Sequence, residues 1–114
     1  MAKVVAFVPD LLFGSNVVGA MRAAGHECAL VSQPGVDEAA AADVLVIDLT
    51  ADAPERLEQA RGAIDSGVKT LAFYSHVEAD VRALAEGAGV DLVVPRSRMA
   101  REGAGLVDRL LTPK

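Results

Sequence analysis

The sequence predicts a three-layer α/β fold: a five-stranded parallel sheet of order 2-1-3-4-5 with helices on both faces. Three observations carry this. The candidate strands are continuous apolar runs rather than alternating ones, the pattern of strands buried on both faces. Helical segments alternate with them along the chain, and helical crossovers join parallel neighbours. Such crossovers wind right-handed, and for five strands the common small solution is the order 2-1-3-4-5. At 114 residues and 52% hydrophobic content, residues 1–114 suit a single domain with one core.

The elements follow in order. Residues 4–8 (VVAFV) form an apolar run long enough for a strand and too short for a helix. The first helix is expected over 15–24, with Ser15 as N-cap and Gly25 in the C-cap glycine position. Residues 28–31 (CALV) are the second strand, followed by the turn Gln33-Pro34-Gly35 and a short Ala-rich helix over 36–43. The third strand is 44–49. Asp52 and Glu55 have capping-box spacing with Pro54 in the first turn, which predicts a helix running to Ser66 and ending at Gly67. Strand four is 68–74 (VKTLAFY). Ser75 and Glu78 repeat the capping-box spacing ahead of a helix closed by the turn 87–89. Strand five is 91–94, and the last helix, 99–111, places Leu106, Val107, Leu110 and Leu111 on one side.

Composition excludes several function classes. The net charge of −5 argues against a general nucleic-acid role, which needs a basic face. Aromatic content of 4% leaves little for base or flavin stacking. Cys28 is the single cysteine, so neither an internal disulfide nor a multi-cysteine metal site is available. The N-terminal apolar run is too short for a signal peptide and breaks at Pro9-Asp10. No window approaches the ~20 apolar residues of a membrane span. These features predict a soluble cytoplasmic protein that does not engage a membrane.

In this topology functional groups gather beyond the carboxyl ends of the strands. Asp10 follows the first strand, Asp48 closes the third, Tyr74-Ser75-His76 follow the fourth and Pro95-Arg96-Ser97 the fifth. The opposite rim collects His26, Asp43, Lys69 and Asp91. Two carboxylates, hydroxyls, a histidine and an arginine thus converge at one end.

This layout resembles the receiver domain of two-component signalling over the whole chain. VVAFVPD stands where receivers place a strand leading into an acidic pair, and VLVIDLT where they carry the phospho-accepting aspartate. GVDLVVPRS parallels the last receiver strand, with Arg96 where a lysine is usual. The resemblance implies that Asp48 is the phosphate acceptor and that Asp10 and Asp48 are carboxylates of a Mg2+ site. It further implies that Ser75 is the switch hydroxyl and that Arg96, with Ser97 beside it, faces the phosphate. A one-residue slip of strand four would put Tyr74 in place of Ser75. Pro9 replaces one member of the acidic pair, and LLFGSN after Asp10 is not a typical receiver sequence.

Other readings compete at the same residues. Asp48 is also placed to accept hydrogen bonds from the loop 50–52, and Asp10 to cap or orient the loop before the first helix. Leu11, Leu12 and Phe13 suit a lid, a partner surface or a hydrophobic staple. The stretch 14–16 (GSN) at a helix N-terminus is anion-friendly but lacks a nucleotide fingerprint. His76 reads as a loop residue or a general base, and no spacing selects a reaction. The run PRSRMAR reads as a phosphate contact or as a basic turn in which Ser97 caps the last helix. The functional expectation is a stand-alone receiver-like regulatory domain whose strand-end pocket of Asp10, Asp48, Ser75 and Arg96 takes phosphate, an anion or a divalent cation. Its partners would be proteins, a second copy of the chain included. The rivals are an unphosphorylated pseudo-receiver that binds partners and a flavodoxin-like binder of a phosphate-bearing small molecule.

Overall fold

The computed structural model describes residues 2–32, 41–75 and 79–112. In chain order the elements are β1 (Lys3–Phe7), α1 (Leu11–Ala23), β2 (Glu27–Val31), β3 (Val44–Asp48), α2 (Ala53–Gln59), α3 (Arg61–Asp65), β4 (Lys69–Tyr74), α4 (Ala79–Gly87), β5 (Leu92–Pro95) and α5 (Arg96–Leu111). The sheet order is β2-β1-β3-β4-β5 and every pairing is parallel. The five predicted strands are all present, each within a residue or so of its expected bounds. The helix expected over 36–43 falls largely outside the described residues, and 41–43 are not helical.

Alternation along each strand explains the continuous apolar runs. Val4, Ala6, Val44, Val46, Leu71, Phe73 and Val94 point to the face covered by α1 and α5. Val5, Phe7, Leu45, Ile47, Ala72, Tyr74 and Val93 point to the face covered by α2, α3 and α4. Both faces are dry, so neither register position is free to be polar. The edge strand β2 departs from the prediction, because Glu27 and Ala29 are exposed while Cys28 is buried.

Two helix starts also differ from expectation. The first helix begins at Leu11 rather than Ser15, because Asp10 is its N-cap and accepts from the Leu12 and Phe13 amides. Ser15 lies one turn inside. Gly14 is buried where α1 crosses the sheet, and an added Cβ would sit 2.8 Å from a Leu30 methyl and 3.3 Å from the Val8 carbonyl. The last helix begins at Arg96, with Pro95 in the cap position and no side-chain cap, so Ser97 lies in its first turn instead of capping it. Proline suits this junction because the N–H it lacks has no helical partner there.

The rim at the amino ends of the strands is stitched by polar side chains. Asp43 accepts from the Lys3 amide at 2.8 Å, and Asp91 accepts from the Thr70 amide at 2.8 Å. His26 accepts the Ala2 amide on Nδ1 at 3.1 Å and turns Nε2 to Asp108 at 2.8 Å, tying the first strand to the last helix.

Candidate functional site at the carboxyl end of the sheet

Parallel register brings the strand ends level. Phe7 lies beside Ile47, Asp48 beside Phe73, and Tyr74 beside Pro95. The next residues, Asp10, Thr50, Ser75 and Arg96, therefore emerge at one end of the sheet, as the sequence predicts. Among the described residues, their hydrogen bonds and ion pairs fall into two groups.

The first group surrounds Asp48, which is 2% exposed. Its Oδ1 accepts from the Thr50 amide at 2.8 Å and from the Thr50 hydroxyl. Its Oδ2 lies 3.3 Å from Nη1 of Arg56, and the same Nη1 donates to the Asp48 main-chain carbonyl at 3.1 Å. A buried carboxylate is tolerable only when paired and hydrogen-bonded, and here both oxygens are engaged. The bond from Thr50 matches the loop-capping reading of Asp48. The ion pair has a partner that sequence reasoning missed.

Arg56 reaches Asp48 because of the corner before its helix. Asp52 adopts a left-handed conformation (φ 51°, ψ 40°) and makes no side-chain cap bond, so the expected Asp52–Glu55 capping box does not form. The corner turns α2 back over the tip of β3, and Arg56 sits within its first turns facing the strand it has just left. Pro54 correctly marks where α2 begins, but the helix start alone does not say which of its residues reaches Asp48.

The second group is open to solvent. Asp10 and Arg96 are each half exposed, with 3.8 Å between Oδ2 and Nη2. The Arg96 guanidinium lies 4.5 Å from the centre of the Phe13 ring, and Phe13 in turn packs on Phe73 with ring centroids 5.0 Å apart. Arg96 is thus held by a carboxylate and an aromatic face, an arrangement its flat guanidinium suits better than an ammonium would. The remaining arginines of the basic run also have internal partners: Arg98 faces Glu102 at 3.4 Å, and Arg101 donates to the Ser97 carbonyl at 3.4 Å.

Tyr74 is buried in the cluster beneath α2 and α4, which leaves Ser75 as the partly exposed hydroxyl at the end of β4. His76 and Glu78 lie outside the described residues. Leu11 and Leu12 are 74% and 79% exposed, which removes the hydrophobic-staple reading for them, while Phe13 is buried. The anion cradle expected at 14–16 is absent, because these residues are inside α1 and the Gly14 amide already donates to the Asp10 carbonyl at 2.8 Å.

The donor set as arranged does not fit the Mg2+ that the resemblance implies. Magnesium needs oxygen ligands at about 2.0–2.1 Å in a near-octahedral shell. All four carboxylate oxygens here face protein donors: Asp10 Oδ1 caps α1 and Oδ2 faces Arg96, while the Asp48 oxygens serve Thr50 and Arg56. Pro9 offers no side-chain ligand. Among the described residues no three His, Cys, Asp or Glu side chains come together as a ligand set.

No protein-family model matches the chain, and no curated protein matches it in sequence. Solved structures do match in shape. The receiver domain of the Francisella response regulator 1452 superposes with a TM-score of 0.77 at 14% identity, covering 96% of each chain. The fold is that of a response-regulator receiver domain. The Vibrio cholerae chemotaxis protein CheY4 gives 0.78 at 16% identity, covering 97% of this receiver-like chain and 99% of its own. NtrX from Brucella abortus gives 0.78 at 15% identity over 96% of this chain, which spans only 27% of NtrX. The resemblance read from the strand ends therefore holds for the architecture, in a chain whose sequence has diverged far from these neighbours. Among the described residues no helix is long and apolar enough to cross a membrane.

Proposed function

We propose that this chain is a receiver-like regulatory domain that acts through contact with a protein partner and is not phosphorylated at Asp48. One observation carries the reading. Asp48 is sealed, with one oxygen on Thr50 and the other on Arg56, and has almost no surface from which to attack a phosphoryl group. A nucleophile must present a free lone pair in line with the group it attacks. Among the described residues, the accessible groups at this end include Leu11, Leu12, Asp10 and Arg96, an apolar pair beside an exposed ion pair. Exposed leucines rimmed by charge suit a protein surface better than a small anion.

The test is a comparison of amide spectra with and without beryllofluoride and magnesium. Spectra that are unchanged around residues 44–50 support the partner-contact reading. Saturable shifts there would overturn it and restore Asp48 as phosphate acceptor, with Ser75, Arg96 and Ser97 as its anion ligands and Asp10 as its metal partner. Replacing Leu11 and Leu12 by serine should leave the fold unchanged and abolish partner binding, whereas Asp48→Asn should leave binding intact.

A further inference from the structure

Arg56 engages both ends of one residue: its Nη1 donates to the Asp48 carbonyl and lies beside Asp48 Oδ2. The Arg56 side chain is only 15% exposed and that of Asp48 only 4%. Burial makes this charge balance consequential. In a poorly solvated corner a carboxylate needs a nearby positive charge, and once it has one, a second cation meets like-charge repulsion. The guanidinium is also fixed, since it is delivered by a helix and anchored to main chain as well as to the side chain.

We propose that Arg56 is the resident cation of the Asp48 site. The guanidinium supplies the charge that a divalent ion would otherwise supply. The native site therefore rejects hard divalent cations, and removing the guanidinium leaves the buried Asp48 carboxylate free to attract one. This rests on the partner-contact reading, for which it provides the cause: the strand end is set by a built-in ion pair and not by a metal and a phosphoryl group.

The probe is Mn2+ alone, a paramagnetic ion that shares magnesium's preference for oxygen ligands. Backbone amide intensities are followed in wild type, in Arg56→Met, which keeps the aliphatic stem, and in Arg56→Met/Asp48→Asn. Selective loss of the 48–50 amide signals is expected in Arg56→Met at a Mn2+ concentration about tenfold or more below any that affects wild type. The double variant should lose this response. Site-specific loss at 48–50 in wild type at the concentrations that affect Arg56→Met overturns the proposal, and so does a folded Arg56→Met variant indistinguishable from wild type. Arg56→Gln, which keeps a donor for the Asp48 carbonyl without the charge, replaces Arg56→Met if the latter is unfolded. Should both be unfolded, recovery of dispersed spectra on adding Mn2+ supports the proposal and failure to recover overturns it. A wild-type response to beryllofluoride with magnesium would defeat the partner-contact reading as well. Silence in both wild type and a folded Arg56 variant would defeat this inference alone.

Discussion

The Asp48–Arg56 pair makes a quantitative prediction about stability. Replacing Arg56 by methionine leaves the Asp48 carboxylate buried with Thr50 as its only side-chain partner among the described residues. Uncompensated buried charges typically cost about 3–5 kcal/mol, and the partial exposure of Arg56 puts the expected value near the lower end, about 3 kcal/mol. Asp48→Asn is milder. It keeps an oxygen for Thr50 but turns an amide N–H2 toward the guanidinium, at a cost of about 1–3 kcal/mol. The double variant removes both mismatched charges, so it should be less unstable than the sum of the singles by about 1–2 kcal/mol. Urea unfolding of the four proteins, monitored by far-UV circular dichroism, measures this coupling directly. The losses are large against a total stability of about 5–15 kcal/mol. Costs that add to within about 0.5 kcal/mol would show that the two groups do not interact, and would refute the sealed-site argument at its base.

Two further predictions test the frame that holds the site. Gly19→Ala and Gly14→Ala make the same change in one helix, yet a Cβ at Gly19 meets nothing within 4 Å while one at Gly14 runs into Leu30 and the Val8 carbonyl. The first should stabilise by about 1 kcal/mol. The second should lose that gain to crowding of about 1–3 kcal/mol, a contrast that thermal unfolding will read. Burial pushes the Cys28 thiol above its ordinary pKa, against a smaller opposing effect from the Arg22 charge. The folded thiol should therefore react with iodoacetamide far more slowly at pH 8–9 than the urea-unfolded chain, because the thiolate is the reacting species. The stability contribution of this group is full below the unfolded pKa of about 9 and falls as pH rises from there toward the folded value, since the unfolded chain releases its proton first.

The architecture was legible in the sequence because burial on both faces leaves a simple trace. A strand such as VLVI must be apolar at every position when one parity faces α1 and α5 and the other faces α2 to α4. The glycines after three helices were legible for a similar reason: Gly25, Gly67 and Gly89 all take positive φ. Helix starts were harder to place. Asp10 and Ser15 are both good caps by residue type, and the folded chain uses Asp10, with Phe13 packed on Phe73 one turn in. Asp52 and Glu55 show the right letters for a capping box, but the left-handed corner directs Asp52 away from the helix amides. At the site, sequence order placed the right residues at one end of the sheet and could not assign partners among them. Arg96 was expected to face a pocket shared by Asp10 and Asp48; it does face Asp10, while Asp48 is paired with Arg56 from the following helix. Which of several arginines meets which carboxylate depends on helix rotation, and a run of residue types does not encode that.

The two ion pairs at this end differ in how much chain each must close. Asp48 and Arg56 are eight residues apart, so their contact needs only a short loop and is entropically cheap to form before the sheet is complete. Asp10 and Arg96 lie near opposite ends of the sequence and cannot meet until the final helix has docked. The buried pair is thus a local feature of one strand–helix unit. The exposed pair ties the first strand–helix unit to the last, so the surface it borders draws on both ends of the sequence.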